Sequence, residues 1–385
     1  MPTGLERLEQ IRAIRAAEKK KKRRQRLFVI ALLVGLSFAF LCIEGRGAAN
    51  HSPLFVIKSI GAFVRFMVQT AGQGHEVKDE ALWQIYAALG NSYAAVVSRL
   101  QSVLLIIIYG AVLALSGSVY QTSMRNPMAV PTMLGVSSGV QMAQMILVLL
   151  YAEDAYNMGV QRYVLSYGIS IGVLLVILIA ARIVGRDHAS VSDLLILGTI
   201  VNRLFQTIMN YYQSNMDNDT LEIYQEFSQN SQDYFDSFSD LTVLIVVAAA
   251  TMVPLILMRF SFNVVSFEDE DAHSVGVRAK FMRVYGIIAG GILTATAMIH
   301  AGNIGMLATV VPLLCRYLYG ADFRDLLWMS AAWGGIILLG AQFVRDYTYI
   351  NTYQIPLGNI VSLLAVPLLI WIIRRQQKIF PSMER

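Results

Sequence analysis

Ten apolar runs, each near the length needed to cross a hydrocarbon layer, leave this chain few ways to fold. They begin near Leu27, Leu100, Thr132, Tyr163, Asp193, Leu241, Val284, Ile304, Leu326 and Leu357. The lipid interior offers backbone amides no water, so each run is expected to be a helix that satisfies its own hydrogen bonds. A soluble chain of 385 residues would make two or three domains, but 56% hydrophobic and 15% charged residues point to lipid as the solvent. The fold class expected is therefore all-α, a polytopic integral membrane protein with about ten transmembrane helices.

Charge sets the orientation. With a cytoplasmic N-terminus, ten crossings return the C-terminus to the same side. The basic clusters Lys19 to Arg24, Arg182/Arg186, Arg278/Lys280/Arg283 and Arg374/Arg375/Lys378 then all fall inside. Glu76, Asp79, Glu80, Glu153, Asp154 and the acidic stretch Asp217 to Asp240 fall outside. The net charge of +5 is thus a topological bias and gives no reason to infer nucleic-acid binding.

Residues 1–26 place Leu5, Leu8, Ile11 and Ile14 at helical spacing ahead of a lysine-arginine run, the pattern of a cytoplasmic amphipathic lead-in touching anionic headgroups. A secretory signal ending near Ala48-Ala49 is the competing reading. Residues 27–375 then form a single transmembrane domain, and 376–385 a cytoplasmic tail. The longest outside segment, 44–99, is expected to hold a surface helix near Ser59 to Gln69. The polar segment Asn215 to Asp240 is a solvated connector or part of a docking surface. Cys42 and Cys315 belong to different spans, so no disulfide is expected.

No phosphate-cradling lysine loop occurs, nor any HExxH, CxxC or Gly-x-Ser-x-Gly pattern, so no enzymatic activity is expected. His300 reads as an interfacial side chain rather than a metal ligand. The fifth run carries a polar stripe: Asn202, Gln206 and Asn210 at successive i+4 positions, with Arg203 and Thr207 alongside. An arginine at membrane depth implies a cavity or a partner.

Residues Gly110 to Gly139 read GAVLALSGSVYQTSMRNPMAVPTMLGVSSG. Asn126-Pro127 and Pro131 stop helices, and Gly135-xxx-Gly139 offers a flat packing surface. This segment resembles the signature of the FecCD-type permeases of ABC importers for iron-siderophore, haem and cobalamin, through Gly110, Ala111, Ser116, Gly117, Gln121, Asn126, Pro127, Pro131, Gly135 and Gly139. Ala301 to Arg316, AGNIGMLATVVPLLCR, resembles a second family block through Gly302, Gly305, Pro312 and Arg316, but has Leu313 where the family has histidine. Gly320 to Arg324 keeps a third block, with Phe323 replacing another histidine. Ile355 to Arg375 resembles the family's ending, so the likeness covers residues 95–375.

The resemblance implies a permease subunit that moves a ferric siderophore or related chelate by alternating access, in the inner membrane of a bacterium. It implies a second permease subunit, a heterodimer being favoured by the departures from pattern. It also implies separate cytoplasmic ATPases holding ATP and magnesium, and an extracytoplasmic substrate-binding protein; this chain itself holds no cofactor or metal. Residues 260–283 would be the cytoplasmic coupling loop, with Glu268, Asp269, Glu270, Ala272, Val275 and Gly276 meeting the ATPase. The fifth helix would line the pathway with Asn202, Arg203, Gln206, Thr207 and Asn210. Arg99 and Arg345, at outer helix ends, would dock the binding protein, or simply snorkel to the headgroups. An ion-coupled carrier or channel is the alternative, although such proteins place acidic pairs inside helices and here nearly all carboxylates lie in loops.

Overall fold

The computed structural model describes residues 4–42, 52–69, 91–158, 160–184, 191–229, 238–265, 272, 275–347, 349–350 and 353–379. The helices among them are α1 (Gly4–Cys42), α2 (Pro53–Gln69), α3 (Asn91–Ser123), α4 (Val136–Tyr151), α5 (Val160–Val184), α6 (Val191–Asn215) and α7 (Asn218–Gln229). They continue as α8 (Phe238–Leu257), α9 (Arg259–Val265), α10 (Ala279–Ala301), α11 (Gly305–Tyr319), α12 (Phe323–Tyr347) and α13 (Leu357–Ile379). A two-residue hairpin, β1 (Tyr349–Ile350) with β2 (Tyr353–Gln354), joins the last two helices.

Each of the ten apolar runs is helical. Among the described residues, parts of α1, α3, α5, α10 and α12 are long and apolar enough to cross a membrane. The sixth run is broken, α8 and α9 meeting at 67°. The α4, α11 and α13 runs are shorter apolar helices. The α6 run is long but interrupted by its polar stripe. The predicted surface helix is α2, and the outside connector contains α7, whose Tyr224 and Phe227 are buried in a cluster with Met145, Leu147 and Val148 of α4. The helix stops also fall as read. After α3 ends at Ser123, Asn126 Oδ1 accepts the Met128 N–H at 2.9 Å, and Pro131 opens the 3-10 turn Pro131–Leu134 before α4.

α3 runs through the centre of the bundle, against α10, α11 and α12. Water supplies no hydrophobic drive inside lipid, so close contact and interhelical hydrogen bonds hold these helices. Glycine makes the contact possible: a Cβ on Gly110 would lie 2.3 Å from the Gly334 carbonyl oxygen. A Cβ on Gly117 would lie 1.8 Å from that of Ala308. Pro312, four residues on, has no N–H to give the Ala308 carbonyl, and α3 closes over that spot. Hydrogen bonds tie the same helices: Ser116 to Thr294, Gln121 Nε2 to Thr309 O at 3.2 Å, and Arg316 Nη2 to Thr122 Oγ1 at 2.8 Å.

Contacts between distant segments respect the predicted sides. At the inner end, Lys22 and Arg26 of α1 both pair with Asp325 at the start of α12, and Arg125 Nε donates to Val265 O at 2.7 Å. At the outer end, Gly302 packs on Gln229 O and Gly358 on Asn303 O. All these pairs join residues assigned to one side by the charge argument.

Candidate functional site

α6 sorts its residues into three sectors. One side packs: Gly198 fits so closely that a Cβ there would lie 2.2 Å from Met133 O of the 3-10 turn. On the edge of that side, Asn202 Nδ2 donates to Thr132 O at 2.7 Å, and Asn202 Oδ1 accepts from Ser138 Oγ at 2.7 Å. Next comes an exposed polar sector of Thr199, Arg203, Gln206, Thr207 and Asn210. The third sector, Ile200, Leu204, Ile208 and Tyr211, is exposed and apolar. The helix therefore shows two kinds of surface away from its own bundle.

A depression of about 220 Å³ lies between the turn and the polar sector, lined by Thr132, Met133, Thr199, Asn202, Arg203 and Gln206. Arg203 Nη1 lies 3.4 Å from Gln206 Oε1, and Thr207 Oγ1 donates to the Arg203 carbonyl at 2.8 Å. Arg203, Gln206 and Asn210 thus present donors over roughly 10 Å of helix at 1.5 Å per residue. Such a strip suits an oxygen-rich or anionic molecule. Asn202 belongs to the neighbourhood in a different way, because its amide is committed to holding α6 on the turn. The spacing Gly198-xxx-Asn202, a small residue and an amide one turn apart, was the available signal for that anchoring face.

Replacing Asn202 by leucine would leave the Thr132 carbonyl without its side-chain donor and cut the link from α6 to the Ser138 hydroxyl, which keeps the Gly135 carbonyl as acceptor. The expected loss is about 1–2 kcal/mol of stability, read as a lower melting temperature in detergent; Thr199→Ala, in the exposed sector, is expected to leave it unchanged.

At the inner end, α9 crosses beneath the bundle. Asn263 fastens it: its Nδ2 donates to Asp322 Oδ1 at 2.9 Å, and its Oδ1 accepts the Phe323 N–H at 2.6 Å. The Arg324 side chain, hydrogen-bonded to Asp322, holds that carboxyl well below the usual range, helped by Asn263, so the joint stays charged at neutral pH. Of the predicted coupling residues, Glu268, Asp269 and Glu270 lie outside the described residues. Ala272 is buried and its carbonyl accepts the Val277 N–H at 2.9 Å. That closes a turn whose tip is exposed: Val275 is 69% accessible and Gly276 takes φ +79°. Phe281 and Phe260 are exposed nearby in sequence. Asn263 gave no sign of its bridging role in the sequence.

The two outer arginines differ. Arg99 is half-buried at the outer part of α3. Arg345, in the last turn of α12, is 1% exposed, so its side chain is part of the interior rather than of the described surface. His300 is also interior: it is fully buried, Nδ1 lies 2.8 Å from Thr296 O, and the ring stacks on Tyr163 at 5.2 Å.

A model of the FecCD transport family matches residues 70–375. The chain belongs to the FecCD transport family. A haemin transport system permease protein of Yersinia pestis is 28% identical over 90% of this chain and 96% of its own length. A cobalamin import system permease protein of Halobacterium salinarum is 29% identical over 72% of this chain and 73% of its own length. A probable iron chelatin transport system permease of Helicobacter pylori is 25% identical over 72% of this chain and 81% of that protein. Among solved structures, an inward-facing protein described as a metal-chelate type ABC transporter superposes with TM-score 0.68 at 21% identity, over 92% of this chain and 99% of that one. The last shows the fold; the family match shows a multi-pass transport permease.

Within this FecCD protein, the two histidine replacements have definite places. Phe323 is 1% exposed and stacks on Phe262 of α9 at 5.0 Å, so it joins α9 to α12. Leu313 packs with Leu314 and Ile372, between α11 and α13. Both positions act within the bundle, and neither is presented at the surface.

Proposed function

We propose that this FecCD permease is one of two membrane subunits of an ATP-driven importer, and that its cargo is a ferric siderophore or related iron chelate. The exposed polar sector of α6 carries the reading. An arginine facing lipid at membrane depth costs about 2.5–3.5 kcal/mol on insertion scales. A second permease subunit facing α6 across a water-filled cavity removes that cost and gives the cargo a polar path. A chelate with its metal shell already filled offers carboxylate, hydroxamate or catecholate oxygens to Arg203, Gln206 and Asn210, and no metal ligand is needed from the protein. The relatives named for haemin, iron chelatin and cobalamin support this cargo class.

The partners follow. Val275 and Gly276, at the tip of an exposed turn, meet a cytoplasmic ATPase that holds ATP and magnesium, and Asn263 passes its displacement to α12. Arg99 receives an acidic residue of an extracytoplasmic binding protein. The assembly sits in the inner membrane of a bacterium, with a different FecCD chain as the second subunit. Reconstitution of both permeases with the ATPase in liposomes tests the reading. ATP hydrolysis is expected to rise several-fold when ferric-siderophore-loaded binding protein is added, with uptake of radioactive iron. Ion-driven uptake that needs no ATPase would overturn it.

A further inference from the structure

The lysine-arginine run of α1 is left unused by transport. Lys20 to Arg26 are exposed apart from half-buried Gln25, and Leu27, Phe28 and Ile30 directly after them are exposed and apolar. The change from charge to hydrocarbon within two residues marks a membrane surface.

At this level a pocket of about 270 Å³ opens between α1, α11 and α12. Lys21, Lys22 and Arg26 stand on one wall, Leu318 and Met329 on the others, and Tyr319 beside them. Lys22 and Arg26 share one carboxylate, Asp325, and both remain about half exposed while doing so. Three cations therefore face a single anion. Among the described residues Lys21 has no ion-pair partner. The Tyr319 hydroxyl accepts the Trp333 Nε1–H at 3.0 Å, which leaves its own proton to donate.

We propose that this pocket binds the phosphate of an anionic phospholipid of the inner leaflet. A phosphodiester supplies the missing negative charge to Lys21, Lys22 and Arg26, and its acyl chains continue past Leu318 and Met329 into the bilayer. The mixed wall decides for a lipid over a free phosphate, because a soluble anion has no use for the two apolar side chains. The bound lipid bridges α1 to α11 and α12, adding to the ion pairs at Asp325. The proposal rests on membrane placement and stands or falls separately from the cargo.

Native mass spectrometry of the purified full-length chain, or of the assembled transporter, tests it with dioleoyl phosphatidylglycerol, dioleoyl phosphatidylcholine and glycerol phosphate as probes. The expected result is retention of phosphatidylglycerol about tenfold over phosphatidylcholine, with no displacement by glycerol phosphate at equal concentration. Lys21→Glu leaves both Asp325 pairs in place and is expected to weaken retention more than tenfold, and Lys21→Gln about fivefold, at about 1 kcal/mol per basic residue. Lys280→Glu, an exposed inner-end charge outside the pocket, leaves retention as it was. Equal retention of the two lipids, or unchanged retention in both Lys21 variants, would overturn the proposal. Displacement by glycerol phosphate would overturn it too, making the pocket a site for free anions.

Discussion

Valine at position 117 is expected to remove the folded permease from the membrane. The first atom of any side chain there would lie 1.8 Å from the Ala308 oxygen, 2.7 Å from its carbonyl carbon and 3.0 Å from its Cα. All three are backbone atoms, so no side chain can rotate away. α3 and α11 would have to separate by on the order of 1–2 Å, and packed interiors do not absorb such a change locally. The separation would also stretch the bonds from Gln121 to Thr309 and from Arg316 to Thr122. A loss of roughly 3–5 kcal/mol is a large share of the roughly 5–15 kcal/mol that holds an ordinary protein folded. Fluorescence-detected size exclusion is the measurement: Gly117→Val should give no monodisperse peak. Gly61→Val and Gly340→Val, where nothing lies within 4 Å, should keep one. A monodisperse Gly117→Val protein with native melting temperature would contradict the packing described for α3.

Charge reversal at Arg203 is the second large effect, and it should act on transport alone. The side chain is exposed, so its replacement should change stability by no more than about 0.5 kcal/mol. A carboxylate in its place would confront an anionic chelate with like charge, which costs several kcal/mol at a buried contact. Uptake of iron by reconstituted Arg203→Glu is expected to fall about a hundredfold, and that of Arg203→Lys much less. Arg182→Ala, an exposed arginine on α5 away from the sector, should transport normally. Full uptake by Arg203→Glu would remove α6 from the pathway.

Much of this fold was legible in the chain because membrane helices obey local rules. Apolar length marked the ten helical runs, proline and glycine marked their breaks, and the basic clusters assigned their ends. The polar stripe of α6 was visible for the same reason, since five polar residues on one helix contradict a lipid environment. Its division of labour was not visible. Asn202 and Arg203 are adjacent in sequence and differ by about 100° around the helix, so one is held by the turn and the other is left exposed. Arg345 shows the opposite limit: an arginine near a helix end fits a surface role, and only the packing around α12 reveals that it is buried.

Hydropathy, helix stops and family motifs, all properties of short windows, were enough to establish a multi-pass helical permease of this family. Which helices touch, and where, depended on residues far apart in the chain. Lys22 and Arg26 find Asp325 about three hundred positions away, and Gly117 finds the one carbonyl that Pro312 cannot satisfy. In lipid the helices have no hydrophobic drive to assemble, so their arrangement is decided by steric fit and by polar partners, and neither exists until the helices have met.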